Sequence, residues 1–176
     1  DTESTDDGLL VATERGVFLV QAGRQQQITQ GAARASRTLE ASERYPGWFW
    51  VGERDGLTAL HRTSRGWRSY LVAAIEEEVI SVVEGPNGTV WANLAQGNIV
   101  QLRFGDTPAS EPAITRLQDE KTLPDGFNRV TSVAGELLVI SSRGVFTLRP
   151  QEGGPHRGAD DEPSAYEVIP DERFDI

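Results

Sequence analysis

Three of the four turn glycines that recur at 16, 56, 97 and 144 have an arginine one or two residues before them. Arg15 precedes Gly16, Arg54 and Asp55 precede Gly56, and Arg143 precedes Gly144. Gln96 holds the same place before Gly97. A guanidinium presents a planar fork of donors that matches a carboxylate or phosphate bidentately. Together with Asn128 and Arg129, which lie in a linker further along, these side chains form a candidate ring around an anionic or sugar-like ligand. Turn-flanking arginines also solubilise an exposed rim, and the residues alone leave both readings open.

Other chemistry is thinly supplied. The two histidines, His61 and His156, have no second ligand at a metal-binding spacing and read as surface or loop residues. The acid runs Glu76–Glu78, Asp119–Glu120 and Asp160–Glu162 lack the alternating oxygen ligands of a calcium loop, so they read as solvated faces and no metal is expected. No nucleophile elbow of the G-x-S-x-G type is present, and no glycine-rich phosphate cradle opens a helix. No catalytic residue and no cofactor is therefore assigned. Asn87-Gly88-Thr89 fits a glycosylation acceptor, but Asn-Gly is first a tight hairpin turn. The aromatic residues Tyr45, Trp48, Trp50, Trp67 and Tyr70 cluster in sequence. Alternation places Trp48 and Trp50 on one face of a strand, as core, and leaves Tyr45 and Trp67 as the more exposed members.

The elements that must carry these residues repeat. Four apolar bursts, each followed by a polar turn ending in glycine and a second apolar burst, run over Leu9–Val20, Trp48–Leu60, Val90–Leu102 and Leu137–Leu148. Their turn glycines, 16, 56, 97 and 144, are 40, 41 and 47 residues apart. A period in the forties built from β-hairpins marks the blades of a β-propeller, each a sheet of four antiparallel strands, a to d from the axis outward. The hairpins are strands b and c. Arg37–Ser42, Val79–Val83 and Arg129–Val133 read as strands a, while Gln25–Thr29, Trp67–Val72, Ala113–Leu117 and Tyr166–Ile169 read as strands d. Gly105–Pro112 and Arg149–Pro163 read as long loops between strands c and d. On this reading the b–c turns and the d–a connections share one end of the sheets, which is where the arginines lie.

The expected organisation is all-β, with blades at 8–30, 35–73, 78–118 and 128–170. The first blade is expected to lack its inner strand, and Pro170–Ile176 reads as the opening of a further one. A consecutive slice of a larger propeller fits this better than a closed four-bladed ring. A slice exposes an apolar blade face at each end. At ~25 cal/mol per Å², several hundred Å² of such face leaves on the order of 10 kcal/mol of burial unmet. The remaining blades or a second chain are the expected partners.

Composition narrows the partners further. A formal net charge of −10 and a pI near 4.7 oppose binding to nucleic acid or to an anionic membrane surface. Lys121 is the single lysine among the 17 basic residues. There is no cysteine, hence neither a disulfide framework nor a thiolate metal site. No apolar run reaches the roughly 18 residues that would span a bilayer as a helix. With no methionine and a polar Asp1–Asp7 start, the chain reads as a processed or excised piece.

Val51–Leu57 following Trp48-Phe-Trp, and Gly88-Thr-Val-Trp91, are similar to the D-x-x-G-x-h-W-h-G-T core of the two-component regulator propeller repeats. Leu123–Val130 resembles the G-L-P-x-x-x-V linker that opens those repeats. The likeness runs over nearly the whole chain. It departs from the pattern where the Trp is missing in copies one and four, and where the Gly-Thr pair is replaced. The resemblance implies a sensor propeller of a bacterial signalling protein, periplasmic or otherwise extracytoplasmic, non-catalytic and placed ahead of an output domain. A carbohydrate-active hydrolase or lyase and a scaffold propeller without small ligand are the alternatives.

Overall fold

The computed structural model describes residues 1–29, 35–85, 88–117, 123, 126–150 and 166–174. Sixteen strands make four sheets, and each sheet uses four strands consecutive in sequence. The first holds β1 Thr2–Thr5, β2 Gly8–Thr13, β3 Gly16–Gln21 and β4 Arg24–Gln27. The second holds β5 Ser36–Ala41, β6 Trp48–Glu53, β7 Gly56–Thr63 and β8 Gly66–Ala74. β9 Val79–Glu84, β10 Val90–Leu94, β11 Ile99–Arg103 and β12 Ala113–Leu117 form the third. β13 Asn128–Val133, β14 Glu136–Ser141, β15 Gly144–Pro150 and β16 Tyr166–Pro170 form the fourth. Every pairing is antiparallel between chain neighbours, the all-β blade architecture that the hairpin period predicts.

Two expectations are corrected. The first sheet is not short of its inner strand: Thr2–Thr5 pairs with Gly8–Val11, from Thr2 opposite Val11 to Thr5 opposite Gly8. Thr-Glu-Ser-Thr has no apolar residue to betray a strand. It is held by its ladder and by Asp1, whose carboxylate accepts from the Leu39 amide (3.0 Å) and the Thr38 hydroxyl (3.3 Å) of the next inner strand. The chain end is not the opening of another strand over its described part either. β16 runs through Pro170, and Glu172–Phe174 is a 3-10 turn. Asp171 starts that turn by accepting from the Arg173 amide at 3.1 Å, as capping carboxylates do. Asn87 of the expected Asn-Gly turn and most of the loop 149–163 lie outside the described residues.

Three apolar clusters lie between successive sheets. Leu10, Ala12, Val17 and Leu19 of the first pack on Leu39, Phe49, Val51 and Leu60 of the second. Trp50, Leu57 and Ala59 then meet Val79, Val82, Val90, Ala92, Val100 and Leu102 of the third. Trp91 and Ile99 meet Val130, Leu137, Val139 and Leu148 of the fourth. Strand alternation therefore gives every blade a forward and a backward face. Among the described residues no buried cluster joins the fourth sheet to the first.

Residue choice at one position of strand b sets how closely the next blade approaches. Gly52 lies against the following inner strand, and a Cβ placed there would sit 2.8 Å from Val79 Cγ1 and 2.9 Å from its carbonyl oxygen. The same position in the third sheet is Asn93, fully buried, whose amide acts as a peptide surrogate. It accepts from Val130 N–H at 2.6 Å and donates to the Val130 carbonyl at 3.0 Å and to Ser81 Oγ at 2.8 Å.

Candidate ligand-binding end of the sheets

The four b–c turns lie at one end of the sheets beside the connections between blades, and hydrogen bonds hold the first three to the flanking chain. Arg54 N–H donates to Ala35 O at 3.2 Å, and Ile75 N–H donates to Asp55 O at 3.2 Å. Ala95 N–H donates to Glu78 O at 2.9 Å, while Gln27 Nε2 donates to Arg15 O at 3.0 Å. Gly97, with φ of +85°, packs so closely on the next connection that a Cβ would stand 3.0 Å from Phe127 Cα. The two middle turns are thus braced by the backbone of the connections between blades, and all four present exposed tips.

The candidate residues do not all share that tip. Arg15, Arg54, Asp55, Gln96 and Arg143 are exposed at the turns. Asn128 is buried, and its amide turns back to donate to Gly126 O at 3.0 Å. Arg129 pairs in register with Ile140 and so belongs to the open forward face of the fourth sheet. The alternation of β13 separates these two neighbours.

Between the turns lies a network that the sequence reading does not include. Arg37, at the start of β5, donates from Nε to Glu78 at 2.5 Å and from a terminal nitrogen to Glu14 at 2.7 Å. This ion-pair bridge links the first two sheets and the connection to the third, and it pushes the guanidinium pKa above its ordinary value, with the Glu78 hydrogen bond foremost. Glu77 accepts from Asn98 Nδ2 at 3.0 and 3.1 Å and lies 3.8 Å from Arg116. Two acids of the run at 76–78 are therefore engaged with partners rather than simply solvated. Arg37 stands 23 residues from one partner and 41 from the other, so no local motif announces it. At the centre of the same end Glu53 is buried and accepts from Thr58 Oγ1 at 2.9 Å.

The opposite end is built differently. Arg62 pairs with Asp6 and Asp7 across the first two sheets. Trp48 stacks flat on His61 at 4.1 Å and 4°, with Tyr70 tilted against it at 5.5 Å. His61 is thus half-buried within a strand rather than free on the surface, and burial, followed by Arg68, lowers its pKa. Tyr45 and Trp67, expected to be exposed, are half-buried. The Tyr45 hydroxyl donates to Gly105 O at 2.8 Å, and Trp67 leans on Phe49 at 5.5 Å. Near the inner strands Glu40 has its pKa raised, by burial first and then by Glu3, Glu84 and Glu43. Among the described residues no group of three or more His, Asp or Glu could hold a metal ion. His156 lies outside them.

Comparison with solved structures decides the fold. The chain superposes on the extracellular domain of a one-component system, BT4673 from B. thetaiotaomicron, with a TM-score of 0.63 and 16% identity. The chain is an arc of propeller blades. The match covers 82% of this chain and 20% of that one, so the chain spans about a fifth of the length of the structure it resembles. A second likeness, to the extracellular domain of a hybrid two-component system, BT3049 of the same organism, has a TM-score of 0.39 at 11% identity and covers 82% of this chain and 26% of that one. No protein-family model matches the sequence, and no curated protein matches it. No helix among the described residues is long and apolar enough to cross a membrane.

Proposed function

We propose that this propeller arc is a non-catalytic ligand-sensing and interaction segment of an extracytoplasmic bacterial signalling receptor of the two-component regulator propeller kind. The observation that carries the reading is the end of the sheets where Arg15, Arg54, Asp55, Gln96 and Arg143 are exposed at the turns, the middle two turns braced by backbone of the inter-blade connections and the first bridged to the second sheet by Glu14 and Arg37. Fixed turns spare a ligand the cost of ordering loops. Exposed guanidinium, amide and carboxylate groups suit an anionic or sugar-like ligand, and Asn128 and Arg129 stand behind the turns rather than in the ring. The fold shared with an extracellular signalling domain supports the receptor setting and the extracytoplasmic location. Glu14 and Glu78 are both bonded to Arg37 rather than left as an open acid pair, which favours binding over hydrolysis. The remaining blades or a second chain complete the platform.

A uronic-acid oligosaccharide joins both chemistries in one probe. Titration into the isotope-labelled protein is expected to shift amides around residues 15, 54, 96 and 143, and Arg54→Ala with Arg143→Ala is expected to weaken binding at least tenfold. Shifts confined to the Trp48 and His61 end, or binding indifferent to the double substitution, would refute the assignment of this end.

A further inference from the structure

The backward face of the first sheet carries Leu9, Val11, Phe18 and Val20. Leu9 is exposed at 38%, and the other three are half-buried. Counting back from the turns, where Thr13 pairs with Gly16 and Ser141 with Gly144, these four hold the places of Leu137, Val139, Phe146 and Leu148 in the fourth sheet. The two sets are identical except for Val20 in place of Leu148. In the fourth sheet this set packs beneath Trp91 of the blade before it. Leu137, Val139 and Leu148 are buried there to 8%, 0% and 5% exposure. The inner strand corresponds as well. Thr2 pairs with Val11 as Val130 pairs with Val139, and Val130 is the residue whose N–H and C=O are taken by Asn93.

From this register identity we infer that the Leu9, Val11, Phe18 and Val20 face is the seat of a further propeller blade of the third-sheet type. That blade presents an indole at the Trp91 position to the apolar set and a carboxamide at the Asn93 position to the carbonyl of Thr2, whose N–H already donates to Asp1 Oδ1 at 3.0 Å. The inference rests on the arc reading and adds the chemistry of the neighbour. A second copy of this chain fits the seat poorly. The forward face that it would bring has Leu138 in place of the tryptophan and Ile140 in place of the asparagine. Leucine leaves the volume of the indole unfilled, and isoleucine leaves the Thr2 carbonyl without a donor, the Thr2 N–H being taken by Asp1 Oδ1 at 3.0 Å. That face also carries Glu136, Arg149 and the Arg173–Asp171 pair, around a recess of 480 Å³, opposite the uncharged Gln25 and Gln27. Burying that charged cluster against glutamines that offer it no counter-charge is costly.

The test extends the full chain by a copy of residues 79–128 placed directly before Asp1, which puts Thr2 at the register place of Val130. The extended chain is expected to unfold at higher urea than the parent, to lose dye binding at the apolar face, and to slow amide exchange at Thr2 and Leu9–Val20 at least tenfold. In the added copy alone, Trp91→Ala or Asn93→Ala is expected to remove most of that gain. An added blade that brings no gain, or a gain indifferent to both substitutions, would overturn the inference. A head-to-tail dimer of the unextended chain, seen by light scattering and abolished by Val11→Asp, would overturn it in favour of a second copy. Slow exchange at Leu9–Val20 in the unextended monomer would instead mean that the arc closes on itself. That outcome defeats the arc reading while leaving the ligand assignment to its own titration.

Discussion

Replacing Asn93 by alanine tests the account of how successive blades are joined. The side chain is fully buried between the third and fourth sheets, with contacts of 2.6, 3.0 and 2.8 Å to Val130 N, Val130 O and Ser81 Oγ. Alanine removes all three and strands both peptide groups of Val130 in a site lined by Val139 and Trp91. A buried polar group left unpaired costs about 1–3 kcal/mol, so two of them put the loss at about 2–6 kcal/mol. That is a large share of the ~5–15 kcal/mol that holds a typical domain. Ser81→Ala breaks one contact with a hydroxyl and should cost about 1 kcal/mol. Asn93→Asp keeps an acceptor for Val130 N–H, but it sets a carboxylate against the Val130 carbonyl, so it should fare no better than alanine. Urea unfolding followed by tryptophan fluorescence gives the stabilities, and amide exchange at Val130 and Val139 locates the loss. A cost below about 1 kcal/mol for Asn93→Ala, with exchange unchanged at Val130, would refute the surrogate-peptide argument.

Three further predictions concern Gln101, Gly52 and Glu40. Gln101 is 1% exposed, and both of its amide atoms are unpaired among the described residues, so Gln101→Leu should raise stability by about 1–2 kcal/mol in the same urea assay. Gly52→Ala sets a methyl within 3 Å of Val79 and Thr38 and should cost about 1–3 kcal/mol, read as a lowered midpoint at unchanged slope. Because the folded pKa of Glu40 is raised, the fold binds more protons there than the unfolded chain, and the charged form weakens it at neutral pH. Glu40→Gln should therefore be the more stable protein at pH 7. The advantage should fade as pH falls through the raised pKa and vanish below the ordinary carboxylate value of about 4, which parallel melts at pH 7 and pH 4 will show.

What was legible in the sequence is what repeats locally. The glycines at 16, 56, 97 and 144 marked four hairpins because an apolar burst on each side of a tight turn has few other uses. The turn arginines were visible by the same rule. β1 was not, because Thr2–Thr5 is polar and its strand state comes from the ladder to β2 and from Asp1. The Arg37 bridge and the Asn93 contacts join residues 23, 41 and 37 positions apart, and no spacing rule reaches across blades whose packing is not yet known. Alternation suffices to place Trp48 and Trp50 in the core, whereas Trp67 is half-buried through Phe49, a packing partner two strands away that alternation along one strand does not reveal.

The sheets are each closed over strands consecutive in sequence, and among the described residues the apolar clusters join only neighbours. Folding cooperativity in such a chain is nearest-neighbour, as in a one-dimensional array. A defect in the first sheet reaches the fourth only by way of the second and third. Native-state hydrogen exchange should therefore resolve into blade-sized units rather than a single global opening. The middle sheets, with a neighbour on each side, should open last and the end sheets first. A blade added to either end would then slow exchange in the sheet it touches far more than in the ones beyond.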